Sequence, residues 1–135
     1  MLLVDTNVVA YLLIDGDQTG AAQELRHRDS DWRSEAFLLV EFTNVLASSI
    51  ASHRMSVPLA EDFLAKATRL LDGKLVRVAH SSVLSIAVRY RVTAYDARFL
   101  ALAYQTRRRL VTEDARLRSA ALGLTQSLAE ALAST

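Results

Sequence analysis

MLLVDTNVVAYLL, residues 1–13, decides the architecture. Met1 to Val4 form an apolar run of strand length, and the run stops at Asp5-Thr6-Asn7, three residues that favour caps and turns. The following VVAYLL can wind into a helix that closes near Gly16. An apolar strand leading through a polar turn straight into a helix opens a strand-helix-strand unit. Strands of this kind belong to parallel sheets buried between helices.

The rest of the chain repeats the alternation. A second helix is predicted over Gly20 to Arg28, a short strand over Trp32 to Ser34, and a long central helix from about Ala36 to His53. Ser56 and Pro58 open another helix by cap and first-turn rules, and Asp72-Gly73 closes it. Leu75 to Val78 reads as the third strand and Leu110 to Thr112 as the fourth, with Leu124-Thr125 a candidate fifth. Between them, Ser81 or Ser82 can cap a helix reaching Tyr90, and Asp96 can cap one through Thr106. Asp114 begins a short helix ending at Gly123, and Ser127 caps an amphipathic tail. The expected fold is a three-layer α/β/α sandwich around a parallel sheet of four to five strands.

Residues 1–135 fit one domain, and a hydrophobic content of 51% is enough for a real core. No repeat, linker or low-complexity stretch interrupts it. The apolar start is broken by Asp5 and Asn7 and lacks a basic leader, so neither a signal peptide nor a membrane span is expected, and a cytoplasmic setting follows. Charge is uneven: residues 1–72 carry 11 acids and 6 bases, residues 73–135 carry 4 acids and 10 bases. Arg89, Arg91, Arg98, Arg107, Arg108, Arg109, Arg116 and Arg118 make the second half basic, either as a polyanion-binding face or as solvated helix surfaces.

Four acids stand out: Asp5 in LLVDTN, Glu41 in LLVEFTNVL, Asp96 in TAYDARFL and Asp114 in LVTEDARL. Open parallel sheets bind ligands beyond the carboxyl ends of their strands, where Asp5 and Asp114 fall. Taken singly, Asp5, Asp96 and Asp114 read equally well as helix caps. Glu41 differs, because its helix places Leu38, Glu41, Phe42 and Val45 on one inward face, and a buried carboxylate needs a partner. Four carboxylates converging on one pocket cannot all stay ionised without a cation between them. The chain has no cysteine and three scattered histidines, His27, His53 and His80, so the ligands on offer are hard oxygens suited to Mg²⁺ or Mn²⁺.

With LLVDTNVVAYLL, LLVEFTNVL, YDARFLALA and LVTEDARL in order along nearly the whole chain, the sequence resembles the PIN-domain nucleases, in particular toxin ribonucleases of the VapC type. The resemblance implies that Asp5, Glu41, Asp96 and Asp114 hold Mg²⁺ or Mn²⁺ and hydrolyse phosphodiester bonds of single-stranded RNA. Asn7 and Thr112 are implied as polar neighbours of the cluster. At Glu113-Asp114 the family's Thr-x-Asp pattern selects Asp114, and extended backbone agrees by pointing Thr112 and Asp114 to one side. Asp5 and Asp96 are expected as direct ligands, Glu41 as ligand or base, and Asp114 as ligand or an acid behind the ligands. The chain departs from the family where some members carry a further acid: here Ala115, Arg116 and Leu117 follow, which puts a second ion in doubt. Ser34-Glu35-Ala36 is also a less typical entry to the central helix, with Ser34 a candidate polar neighbour.

Arg98 and Arg116, each two residues after an acid, are candidates to grip RNA phosphates or are simply solvated. Tyr11, Tyr95, Phe99 and Tyr104 are candidates to stack bases, with core packing the stronger expectation. The resemblance further implies a cognate antitoxin and a homodimer, for which Val9, Leu12 and Leu13 offer apolar surface. A phosphoacceptor receiver would want an early acidic pair and a late lysine, and a haloacid-dehalogenase-type phosphatase Asp-x-Asp after the first strand; the chain has neither. The remaining rival is a catalytically silent PIN-like module that binds RNA or protein.

Overall fold

The structure, a computed structural model, describes residues 1–135. Strand β1 (Leu2–Val4) sits at the centre of a five-stranded sheet and is followed by α1 (Thr6–Leu13) and α2 (Thr19–Arg28). Next come β2 (Trp32–Glu35), α3 (Phe37–Ala51), α4 (Val57–Leu70) and β3 (Leu75–Val76). The second half runs α5 (His80–Tyr90), α6 (Ala94–Thr106), β4 (Leu110–Val111), α7 (Ala115–Ala120), a single 3-10 turn (Leu122–Leu124), β5 (Thr125–Gln126) and α8 (Leu128–Ser134). No helix is long and apolar enough to cross a membrane.

All strand pairs are parallel, in the order β3-β2-β1-β4-β5. Leu3 is in register with Arg33 on one side and Leu110 on the other, and Val4 with Val111. Leu3, Val4, Leu110 and Val111 are all buried, which is why these strands read as unbroken apolar runs. Helices cover both faces. On one, α1 packs on α2, α3 and α4, and α2 on α8; α5 and α6 form the other layer, α6 lying against β2 and β4. The core joins Trp32, Phe42, Phe99, Leu100 and Leu110.

The chain leaves β1 toward β2 and β3 and later crosses back to β4 and β5 on the far side. The order therefore reverses between β1 and β4, and helices diverge there beyond the strand ends, leaving a crevice. Asp5 follows β1 and Thr112 to Asp114 follow β4, so the topology delivers both to that crevice.

Several boundaries differ from expectation. β2 reaches Glu35 and β3 stops at Val76. Helix α5 starts at His80 behind Ala79 with no side-chain cap, leaving Ser81 and Ser82 inside its first turn. A 3-10 turn replaces the end of the helix expected to reach Gly123, and the last strand is shifted to Thr125–Gln126. The cap at Ser127 is as expected and is doubled: Ser127 Oγ accepts from Glu130 N while Glu130 returns to Ser127 N. Ser127→Ala should cost about 1 kcal/mol in chemical denaturation.

Candidate functional site

Asp5 sits where β1 becomes α1, and its position is over-determined. Its backbone N–H continues the sheet by donating to Val111 O at 2.9 Å. One carboxylate oxygen caps α1 by accepting from Thr6 N at 2.7 Å, and the other accepts from Thr112 Oγ1 at 2.7 Å. Asn7 ties the same two strand ends together: its amide donates to Thr112 Oγ1 (3.3 Å) and its carbonyl accepts from Glu113 N (3.3 Å). Asp114 N also donates to Thr112 Oγ1, at 3.1 Å. Thr112 is thus the buried hub that locks Asp5, Asn7 and Asp114 in one geometry.

Glu41 enters from α3, held by Thr6 Oγ1, which donates to it at 2.6 Å. Its burial is less than expected: the inward face of α3 is Leu38, Phe42 and Leu46, while Glu41 is half-buried and Val45 exposed. The reason is that α3 is apolar around much of its circumference, so apolar neighbours did not specify the inward side. Asp96 comes from α6 but does not cap it. Thr93 takes that role, accepting from Asp96 N at 3.1 Å, and Asp96 lies in the first turn. Thr93→Ala should cost about 1 kcal/mol in a denaturant titration, with Thr93→Ser restoring it. Asp114 does cap α7, one oxygen accepting from Arg116 N and Leu117 N at 3.0 and 3.1 Å.

The four carboxylates, with Thr6 and Asn7, line one cavity of about 640 Å³. None forms an ion pair, since every salt bridge of the chain lies elsewhere. The crowding is visible in their acidity. Burial above all, with the charges of Glu41 and Asp96 added, pushes Asp5 up to about 6 despite its bonds from Thr112 and Thr6. Burial followed by the charges of Asp96 and Asp114 raises Glu41 against its bond from Thr6. Burial and the Asp114 charge raise Asp96. Negative charge is concentrated here with no internal cation to offset it. In donor chemistry the site fits a hard divalent ion. In spacing, no three acidic, histidine or cysteine side chains are arranged as they stand to hold one ion.

Two further acids have structural work. Glu113 turns away from the cavity, as expected, and accepts from Leu128 N at 2.6 Å at the start of α8. Glu35 is buried and accepts from Phe37 N at 3.2 Å, supplying the first turn of α3, where Ala36 provides no side-chain cap. Ser34 donates to Val4 O at 2.7 Å, fastening β2 to β1 away from the cavity lining.

The aromatic residues depart most from expectation. Phe99 is core, but Tyr11 and Tyr95 line the cavity together with Phe37. Tyr104 is exposed beneath the guanidinium of Arg89. Arg98 lies over the Phe37 ring at 5.6 Å, with Nη2 3.4 Å from His80 Nδ1. Arg116 is exposed on the first turn of α7. Arg107, Arg108 and Arg109 precede β4 and so occupy the opposite end of the sheet from the acids, where Arg108 donates to Met1 O at 3.1 Å. Val9 is fully buried, which removes it from any docking surface, whereas Leu12 and Leu13 are half-buried. Thr6, Thr93 and Phe37 were missed in the sequence; only Thr93 carried a legible signal, the Thr-x-x-Asp spacing of a capped helix start.

The family model described as PIN domain matches residues 2–122. The crystal structure of PAE2754 from Pyrobaculum aerophilum superposes with a TM-score of 0.73 at 22% identity, covering 98% of this chain and 94% of that one. At that identity the likeness speaks for the fold. No curated protein matches the chain. With the matched segment taking in all four carboxylates of the cavity together with Thr6 and Thr112, the chain belongs to the PIN-domain family.

Proposed function

We propose that residues 1–135 act as a single nuclease domain, a Mg²⁺- or Mn²⁺-dependent endoribonuclease cutting single-stranded RNA. The observation that supports this reading is the convergence of Asp5, Glu41, Asp96 and Asp114 on one cavity with no lysine or arginine paired to any of them. These four would hold the cation, which when bound supplies charge to neutralise phosphate oxygens and acidify an attacking water. Asp5 is the fixed member, gripped through Thr112 and Thr6, with Asn7 bracing Thr112. Glu41 and Asp96 reach in from separate helices, α3 and α6, and would supply further carboxylate oxygens to the ion. Burial and the neighbouring charges raise the pKa of Glu41, making its carboxylate a stronger base for accepting a proton from water. Arg98 and Arg116 would meet flanking phosphates. By resemblance to VapC-type toxins, the protein would be cytoplasmic, form a homodimer and pair with an antitoxin.

A second reading has its own observation. Because no three acids stand in ligating arrangement, a catalytically silent PIN-like module binding RNA or protein also accommodates the site, with Asp5 and Asp114 serving as caps. Incubating purified, antitoxin-free protein with a pool of RNAs, with and without Mn²⁺, and mapping the ends separates the two. Cuts that require Mn²⁺ support the nuclease. Intact RNA that is nevertheless retained on the protein supports the silent module.

A further inference from the structure

The cavity has a wall that a phosphate-cutting site does not need. Tyr95 and Phe37 stack with ring centroids 5.4 Å apart and planes inclined by only 14°. Tyr95 is 62% exposed, so one face meets Phe37 and the other is open to solvent. Both rings ride on the helices that carry the acids: Tyr95 immediately precedes Asp96 on α6, and Phe37 lies one turn before Glu41 on the same side of α3. The guanidinium of Arg98 lies over Phe37 at 5.6 Å. A flat, exposed aromatic surface beside a guanidinium is therefore held at fixed offset from the acidic cluster.

We propose that the Phe37–Tyr95 pair is a nucleobase platform: the open face of Tyr95 stacks the unpaired base of the nucleotide adjacent to the phosphate approached by the acids, with Arg98 on that nucleotide's phosphate. The assignment rests on the ribonuclease reading and extends it to how substrate is held. Stacking suits this place because four carboxylates repel the RNA backbone, whereas a neutral base brings affinity without crossing that field. The Arg98 guanidinium lies over Phe37 with only Nη2 near another side chain, His80 Nδ1 at 3.4 Å, and carries further N–H donors for phosphate oxygens. A base inside a duplex has both faces occupied by its neighbours, so the platform selects single strands without reading sequence.

The test compares wild type, Tyr95→Ala and Tyr95→Trp in Mn²⁺-dependent cleavage of a short single-stranded RNA, and in anisotropy of that RNA, fluorescently labelled, on an Asp5→Asn background. Tyr95→Ala should raise KM and Kd about tenfold with kcat changed by less than about twofold, and Tyr95→Trp should restore both. An abasic residue beside the cut should reproduce the loss in wild type and add nothing to it in Tyr95→Ala, the non-additivity expected of direct partners. Full RNA affinity in a Tyr95→Ala protein that melts like wild type overturns the platform while leaving the nuclease standing. So does Tyr95→Trp failing as badly as Tyr95→Ala. A wild type that neither binds nor cuts RNA overturns both readings together.

Discussion

Asp5→Asn should abolish Mn²⁺-dependent RNA cleavage, by on the order of a thousandfold, while making the protein more stable near neutral pH. The loss follows from removing the best-anchored charge of the cluster. The gain follows from linkage. Folded Asp5 titrates at about 6 instead of 3.8, so between those values the folded chain holds a proton that the unfolded chain has released. Stability therefore falls as pH rises through this window, and above it the buried charge costs about 3 kcal/mol. Asparagine removes that charge, keeps an oxygen for Thr6 N, and gives up a charged acceptor for Thr112, a loss of about 1 kcal/mol or more. The net gain should appear as a melting temperature higher by about 5 °C near neutral pH, shrinking as pH falls through the window and disappearing only below a pH of about 3, where Asp5 is protonated in both states. A destabilised Asp5→Asn would show that the site is framed for stability.

Acidification should remove the cation before it unfolds the chain. Asp5, Glu41 and Asp96 all have raised pKa values, and the groups facing them in the cavity, Asp114 and Tyr11, bring no positive charge. Each must be ionised to hold a metal, so below about pH 6 binding competes with at least one proton, and Mn²⁺ affinity should fall about tenfold or more per pH unit. Cleavage measured at saturating RNA should fall with the same midpoint. A binding midpoint near the ordinary carboxylate value would mean that the acids are not crowded as described.

The layout of the sheet was legible because β1 and β4 are buried on both faces and announce themselves as apolar runs ending in polar turns. Asp5 and Asp114 were legible for the same reason, their places being fixed by strand ends. Asp96 was harder. Thr93 and Asp96 both make good caps three residues apart, and only the extended backbone at Thr93 decides that the threonine caps and the carboxylate goes free into the cavity. Glu41 was assigned to the wrong depth because Val40 and Val45, exposed at 58% and 37%, imitate an inward face in the sequence. They border the cavity, as do Tyr11 and Tyr95. Aromatic and aliphatic side chains are read as core by default, and nothing local distinguishes one that lines a cleft. The sequence left the arginine run at 107–109 open between a polyanion-binding face and solvated surface, and preceding β4 puts it at the far end from the acids that follow β4.

The account's central claim is that Asp5, Glu41, Asp96 and Asp114 share one divalent cation, and thermal unfolding in a Mn²⁺ titration tests it most directly. Wild type at neutral pH should gain stability progressively, about 3 kcal/mol at a concentration one hundred times Kd, reversed by a chelator and largely absent in Asp5→Asn and Asp96→Asn. A wild-type melting temperature indifferent to Mn²⁺ and Mg²⁺, in protein that is folded and pure, would contradict the claim and leave the four acids as caps around a binding cleft.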